Sequence, residues 1–385
     1  MNDLPQLLAF RDRYRSAQTP LLLVTIVRTA GSTYRKPGAR LLLTSDGQHE
    51  GTISGGCLEA DLIETAWSRL EKNRRQPMIM RYDTTEEGEI FWGTGTGCGG
   101  QVDLLLELLP ADDPLAFVAE TQSAGEEGII ATVLEHRLLA PDLAGQARPP
   151  AVGTRFYLRQ GQSIYPQIRD TESLADIRRF AEKTFVNKRS SIVECKLESG
   201  AEFDLFCEFV SVPHHLFVFG TGRDALPVVQ ISKSLGWKVT VAGKRATTGA
   251  AAQLETLVDQ FLTVREALSQ VQSDSLVLVM SHNFLDDLSV LENLARSWPR
   301  YVGLLGPRAR KDKLISELAQ NDAGLDRRQL DRFYAPAGLD LGVEGPAGIA
   351  LSILAEMQSV LAGRSAAQLR FRNAPIYSDI PSELV

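Results

Sequence analysis

Two stretches of this chain match position for position: Val102-Asp-Leu-Leu-Leu-Glu-Leu108 and Phe203-Asp-Leu-Phe-Cys-Glu-Phe209. Asp204 falls over Asp103, and Glu208 over Glu107. The likeness extends upstream of both. Residues 129–134 resemble the apolar run 21–27. Pro150-Ala-Val-Gly-Thr-Arg155 echoes Pro37-Gly-Ala-Arg40, and 156–158 with Gly161 echo 41–43 with Gly47. Residues 170–183 carry helical spacing at the place of 58–72. A repeat of this kind implies two diverged copies of one α/β unit, about 20–110 and 128–210, within an N-terminal domain spanning 1–211. Residues 140–150 read as an insertion in the second copy.

Past Val212-Pro-His-His215, which reads as a linker, the pattern changes. Short apolar runs near 216–219, 236–242, 259–262, 275–280 and 301–305 alternate with helical segments. Such alternation implies a parallel, doubly wound sheet. A closing helix at 345–361, opened by Pro346, carries Ile349, Ile353, Leu354, Met357 and Leu361. Residues beyond Gln368 read as a tail. The expected fold class is therefore α/β: a duplicated α/β domain, then a Rossmann-like domain over 212–385. A length of 385 residues fits two or three domains.

Charge narrows the partners. A net charge of −7 argues against nucleic acid or an anionic membrane. The opening Met-Asn-Asp-Leu-Pro-Gln-Leu-Leu has no basic segment and no long apolar run, so neither a signal peptide nor a membrane span is expected, and cytoplasm is the default. The four cysteines (57, 98, 195, 207) are too sparse for a disulfide scaffold. No CxxC or His-rich spacing suggests structural zinc.

The chemistry concentrates in glycine-rich turns. Ser54-Gly55-Gly56-Cys57-Leu58-Glu59 joins a strand-like run to an amphipathic helix with Leu62, Ile63, Ala66, Trp67 and Leu70 on one face. Cys57 thus falls near a helix N-terminus, where amides and the macrodipole favour anions and lower a thiol's pKa. Gly97-Cys98-Gly99-Gly100 places a second cysteine among glycines, ahead of the strand at 102–109. For each cysteine the plain alternative is a small residue in a tight turn. Cys195 and Cys207 sit in strand-like runs and read as core.

Gly220-x-Gly222, with Ala225 in the third small position, has the form of a dinucleotide turn. The acidic residue expected after the next strand is absent; Ala242-Gly243-Lys244-Arg245 stands there. Either the turn and Arg245 hold a phosphate, or the glycines serve packing alone. His282 and Asn283 follow a strand end, where such sheets bind ligands, or else cap the next helix. Arg308 and Arg310 either bind an anion or start a solvated helix. His214 and His215 read as linker residues, and Asp286-Asp287 and Glu86-Glu87 as solvated carboxylates.

Ser54-Gly-Gly-Cys-Leu-Glu59, Gly97-Cys-Gly-Gly100, Tyr301-Val-Gly-Leu-Leu-Gly306 and Ala335-Pro-Ala-Gly-Leu-Asp-Leu-Gly342 together resemble the XdhC/CoxI family of molybdenum hydroxylase accessory proteins. The resemblance spans about Leu21 to Met357. It implies a cytoplasmic homodimer that binds molybdenum cofactor (molybdopterin, as such or as a dinucleotide). It also implies help in sulfuration and in insertion into an apo hydroxylase of the xanthine dehydrogenase type, with a cysteine desulfurase as a further partner. It makes the protein a cofactor-binding chaperone rather than a catalyst. The cofactor-binding set carried by motif and turn is Ser54, Gly55, Gly56, Cys57, Glu59, Gly97, Cys98, Gly99, Gly100, Gly220, Gly222, Arg223, Arg245 and His282. Cys57 and Cys98 are the candidates to contact molybdenum or to accept sulfur. One departure stands out: Arg223-Asp224 replace the family's usual His-Val in the glycine turn. Two other readings compete, an NAD(P)-dependent oxidoreductase using the Gly220 turn and a non-catalytic scaffold for hydroxylase maturation.

Overall fold

The computed structural model describes residues 3–31, 33–83, 100–138, 150–159, 162–163, 171–196, 202–245, 248–321 and 323–373. They form two compact units, divided after Val212. In the first, α1 (Leu4–Ser16) leads into an antiparallel sheet of β1 (Leu22–Gly31), β2 (Arg40–Leu43), β3 (His49–Gly51), β4 (Met78–Asp83) and β5 (Gly100–Leu108). Helix α2 (Cys57–Lys72) lies between β3 and β4, and α3 (Pro114–Ser123) follows β5. A second antiparallel sheet holds β6 (Gly128–Leu138), β7 (Arg155–Arg159), β8 (Gln162–Ser163), β9 (Ser191–Lys196) and β10 (Glu202–Val210), with α4 (Thr171–Asn187) between β8 and β9. The strand orders are β3-β2-β1-β5-β4 and β8-β7-β6-β10-β9, one path traced twice.

Strand alternation explains why the matched segments carry acids among apolar residues. On β5, Val102, Leu104 and Leu106 pack against Leu58, Leu62, Ala66 and Leu70 of α2. On β10, Phe203, Leu205 and Cys207 pack against Ile177 and Ala181 of α4. The opposite faces of the two strands meet each other. Leu105 and Phe206 share a small core with Val27 and Leu134. Asp103, Glu107, Asp204 and Glu208 enter the same seam, all at 9% exposure or less.

Arginines from both copies meet these acids. Arg40 of β2 grips Glu208 through two parallel bonds of 2.9 and 2.6 Å. Arg155 of β7 grips Glu107 through the same fork. Arg28 bridges Asp103 at 3.1 Å and Asp204 at 2.6 Å. Each fork therefore crosses from one copy to the other. Burial pushes the Glu107 carboxyl up, and Arg155 pulls it back. Helices α1 and α3 close a separate apolar cluster with Leu23, Leu42, Ile130 and Tyr157. The side chain of Asp113 caps α3 by accepting the Leu115 amide at 2.9 Å.

The second unit is a parallel sheet of β11 (His215–Phe219), β12 (Lys238–Ala242), β13 (Gln260–Leu262), β14 (Leu276–Val279), β15 (Tyr301–Leu304) and β16 (Phe333–Tyr334). Its order is β13-β12-β11-β14-β15-β16. The chain steps outward from β11 and then restarts on the other side with β14, so the switch point lies between those two strands. The helices are α5 (Ala225–Ser234), α6 (Gly249–Leu257), α7 (Val264–Gln270), α8 (Phe284–Leu294), α9 (Arg308–Gln320), α10 (Arg327–Leu330) and α11 (Gly345–Ala362). Helix α11 is long and apolar enough to cross a bilayer by length and composition alone. Here Ala350, Ile353, Leu354 and Met357 pack it into the core beside Val228 and Val229 of α5.

Three sequence expectations change. His215 is not a linker residue: it opens β11 and lies 2.8 Å from Thr240 Oγ1, and burial lowers its pKa to about 4. Asp287 is not solvated: it is 1% exposed and bound to Ser281 and Arg310. Arg310 is taken up by that contact rather than offered to an anion. Glu86, Glu87 and residues 140–149 lie outside the described residues.

Candidate functional site

The glycine pair after β3 is built for a sharp turn. Gly55 and Gly56 have φ of +85° and +122°, where a side chain would be strained. The chain then enters α2 at Cys57. Glu59, in the first turn of that helix, reaches back into the loop. Its Oε1 accepts the amides of Ile53 at 2.7 Å, Ser54 at 2.8 Å and Gly55 at 3.3 Å. Its Oε2 accepts the Gly56 amide at 2.9 Å and the Ser54 hydroxyl. Ser54 Oγ in turn accepts the Leu58 amide at 2.7 Å.

Burial alone would raise the Glu59 pKa. The bonds from Ser54 and from the Ser54 and Ile53 amides outweigh it and hold the carboxyl at about 2. Glu59 is thus the anion of this nest. The amides that the sequence offers to a ligand phosphate are occupied by the chain's own carboxylate. The loop is a closed platform from which α2 starts at Cys57, not an open phosphate cradle.

Sequence reasoning missed Tyr34. A Cβ at Gly55 would stand 3.3 Å from its ring, so the ring lies over the loop, and it is 64% exposed. The only signal was an aromatic residue within a turn-rich segment. Gly97, Cys98 and Gly99 lie outside the described residues. Gly100 opens β5 opposite Gly31 of β1. Cys195 and Cys207 are buried, and burial pushes the Cys207 thiol up to about 12. Both match the core reading. Among the described residues, no group of three or more His, Cys, Asp or Glu is placed to hold a metal ion.

A second cluster lies at the switch point of the parallel sheet. Gly220 and Gly222 turn the chain from β11 into α5, with Arg223 exposed between Gly222 and the helix. The Asp224 carboxylate folds back over Gly222: Oδ1 lies 2.5 Å from where a Gly222 Cβ would stand. Its Oδ2 is 2.7 Å from His282 Nε2. His282 follows β14 at φ +60°, in the left-handed region that only a few side chains enter, and its side chain is 60% exposed. Asn283 caps α8, accepting the Leu285 amide at 2.9 Å. The side chain of Thr221 lies over Gly243, 2.6 Å from that glycine's missing Cβ. Arg245 bends back to Phe261 O at 3.0 Å and Glu255 at 3.2 Å. The structure therefore brings Gly222, Asp224 and His282 together and ties Arg245 to its own unit.

The chain matches two family models: the "XdhC and CoxI family" over residues 14–83 and the "XdhC Rossmann domain" over 216–357. The first includes the Ser54–Glu59 loop, and the second includes the Gly220 turn and His282. A Bacillus subtilis protein named as a probable xanthine dehydrogenase component is 26% identical over 348 residues, 88% of this chain and 93% of the relative. The molybdenum cofactor insertion chaperone PaoD of Escherichia coli is 24% identical over 339 residues, 88% of this chain and 83% of the relative. Among solved structures, a xanthine dehydrogenase from Bacillus halodurans superposes with a TM-score of 0.69 at 25% identity, covering 96% of this chain and 98% of that one.

Proposed function

Because this chain belongs to the XdhC and CoxI family, we propose that it matures a molybdenum hydroxylase by binding molybdenum cofactor as cargo and delivering it to the apo enzyme. Support for the cargo comes from the Escherichia coli relative, named as a molybdenum cofactor insertion chaperone and matched over most of both chains. The observation that carries the reading is the Glu59-locked loop. It spends a buried carboxylate and four amides on fixing the turn that leads into Cys57. A turn needed only for packing does not require a cysteine at its exit.

The donor chemistry fits the cargo. A thiolate is a soft ligand suited to molybdenum or to sulfur exchange. Cys57 begins a helix of 16 residues, where the dipole favours the thiolate. Cys98 stands two residues before Gly100 and is the second thiol of the reading. Tyr34, exposed over Gly55, offers an aromatic face to a planar pterin. Holding the cofactor during sulfuration, with a cysteine desulfurase as sulfur source, and acting as a cytoplasmic homodimer complete the proposal.

The test is purification from a cofactor-producing host, with molybdenum and pterin measured on the protein and activation of an apo hydroxylase measured separately. Cys57→Ala and Cys98→Ala are expected to lose both bound molybdenum and activation. If both variants keep cofactor and still activate, the thiol assignment fails. If the unaltered protein carries no cofactor under any condition, the cargo itself is wrong.

A further inference from the structure

The parallel sheet has the strand order and the glycine turn of a dinucleotide-binding unit, yet its crevice is dressed with the chain's own side chains. In that fold the second glycine of the turn leaves room for a pyrophosphate to approach the backbone. Here that room holds the Asp224 carboxylate, with Oδ1 2.5 Å from the missing Cβ of Gly222. The carboxylate is not a loose side chain. His282 fixes its other oxygen at 2.7 Å from the opposite lip of the switch point. The residue at the end of β12 where an acid would hold a ribose is Ala242, followed by Gly243 under Thr221. Arg245, the cation suited to a phosphate, is turned back to Phe261 and Glu255.

We infer that Asp224, held by His282, sets the charge this crevice accepts, refusing pyrophosphate-bearing ligands at the glycine turn and admitting neutral or hydrogen-bond-donating groups. A pyrophosphate in the usual place would meet a carboxylate at contact distance, and like charges so placed are strongly disfavoured. Arg223 is the nearby exposed cation that works against this, but an exposed charge contributes little beside a contact repulsion. The neutral imidazole that donates Nε2–H to Asp224 keeps Nδ1 as an acceptor, which suits an N–H donor. If the cargo carries a nucleotide tail, its pyrophosphate is then seated away from Gly220–Gly222.

The inference does not rest on the reading of the first unit, since its test uses NADH and no molybdenum. Full-length protein is titrated with NADH, followed by nicotinamide fluorescence and by calorimetry. The unaltered chain is expected to show no saturable binding in the micromolar range. Asp224→Val, which removes both charge and carboxylate, is expected to gain at least about tenfold in affinity. Asp224→Asn keeps the shape and loses the charge, so it separates repulsion from bulk and serves if the valine variant misfolds. A folded Asp224→Asn that binds NADH more tightly than the unaltered chain supports the inference. Micromolar binding by the unaltered protein overturns it. So does failure of both folded variants to gain affinity, because Asp224 would then not be the determinant.

Discussion

Glu59 shows how one side chain can answer for a whole loop. Its folded pKa of about 2 lies below the ordinary 4.5, so its contribution to stability is full above about pH 4.5 and is lost as pH falls from there towards 2. Glu59→Gln keeps the length but points an NH2 group at donors. The variant is expected to unfold at lower urea concentration at neutral pH, by about 2 kcal/mol, since buried amides are left without an acceptor. The gap between variant and unaltered protein should then narrow as the solution is acidified. Equal urea midpoints at neutral pH would show that the loop does not depend on the carboxylate. Sequence reading placed Glu59 in the right motif but in the wrong posture. A carboxylate three residues into a helix faces a ligand or its own loop according to the backbone angles at Gly55 and Gly56, and composition does not encode those angles. Asp224 is the same lesson in the second unit: its neighbour in space, His282, is 58 positions away in the chain.

At the scale of elements, the strands were the most legible part. The apolar runs at 21–27, 102–109 and 216–219 became β1, β5 and β11, because a buried strand needs continuous apolar residues and little else. Helix α3 was not legible. Pro114, Leu115, Ala116, Phe117, Val118 and Ala119 follow one another without a polar break, so no helical period shows, and Asp113-Pro114 at its start reads equally as a turn. The acids of β5 and β10 were visible, but not their partners, since pairing across two sheets is a matter of packing rather than of pattern. The forks at Arg40–Glu208 and Arg155–Glu107 give a clear expectation. Arg155→Met alone strands a buried glutamate and should destabilise by about 3–5 kcal/mol, whereas replacing Arg155 and Glu107 together by apolar residues of similar volume should recover most of that loss. Denaturant unfolding of the two single variants and the double variant measures the coupling. Simple additivity of the singles would mean that the fork carries no interaction.

For the molecule as a whole, the α/β class and the Rossmann-like second unit followed from the alternation of strands and helices, and the strand order confirms that class. What the sequence could not convey is that the two copies in the first unit are stitched through their charges. Arg40 and Glu208 stand 168 residues apart, and the reciprocal fork joins Arg155 to Glu107. A chain cut in the turn at Gly125, after α3, is therefore expected to give a first fragment that is insoluble alone and soluble when co-expressed with the remainder. Soluble, cooperatively folding residues 3–124 on their own would contradict this. In the language of inheritance, the two copies cannot drift independently. A substitution that alters the charge at Arg40 is selected against, or compensated, at Glu208. The pairs that should co-vary among descendants of this chain join one copy to the other rather than neighbours within a copy.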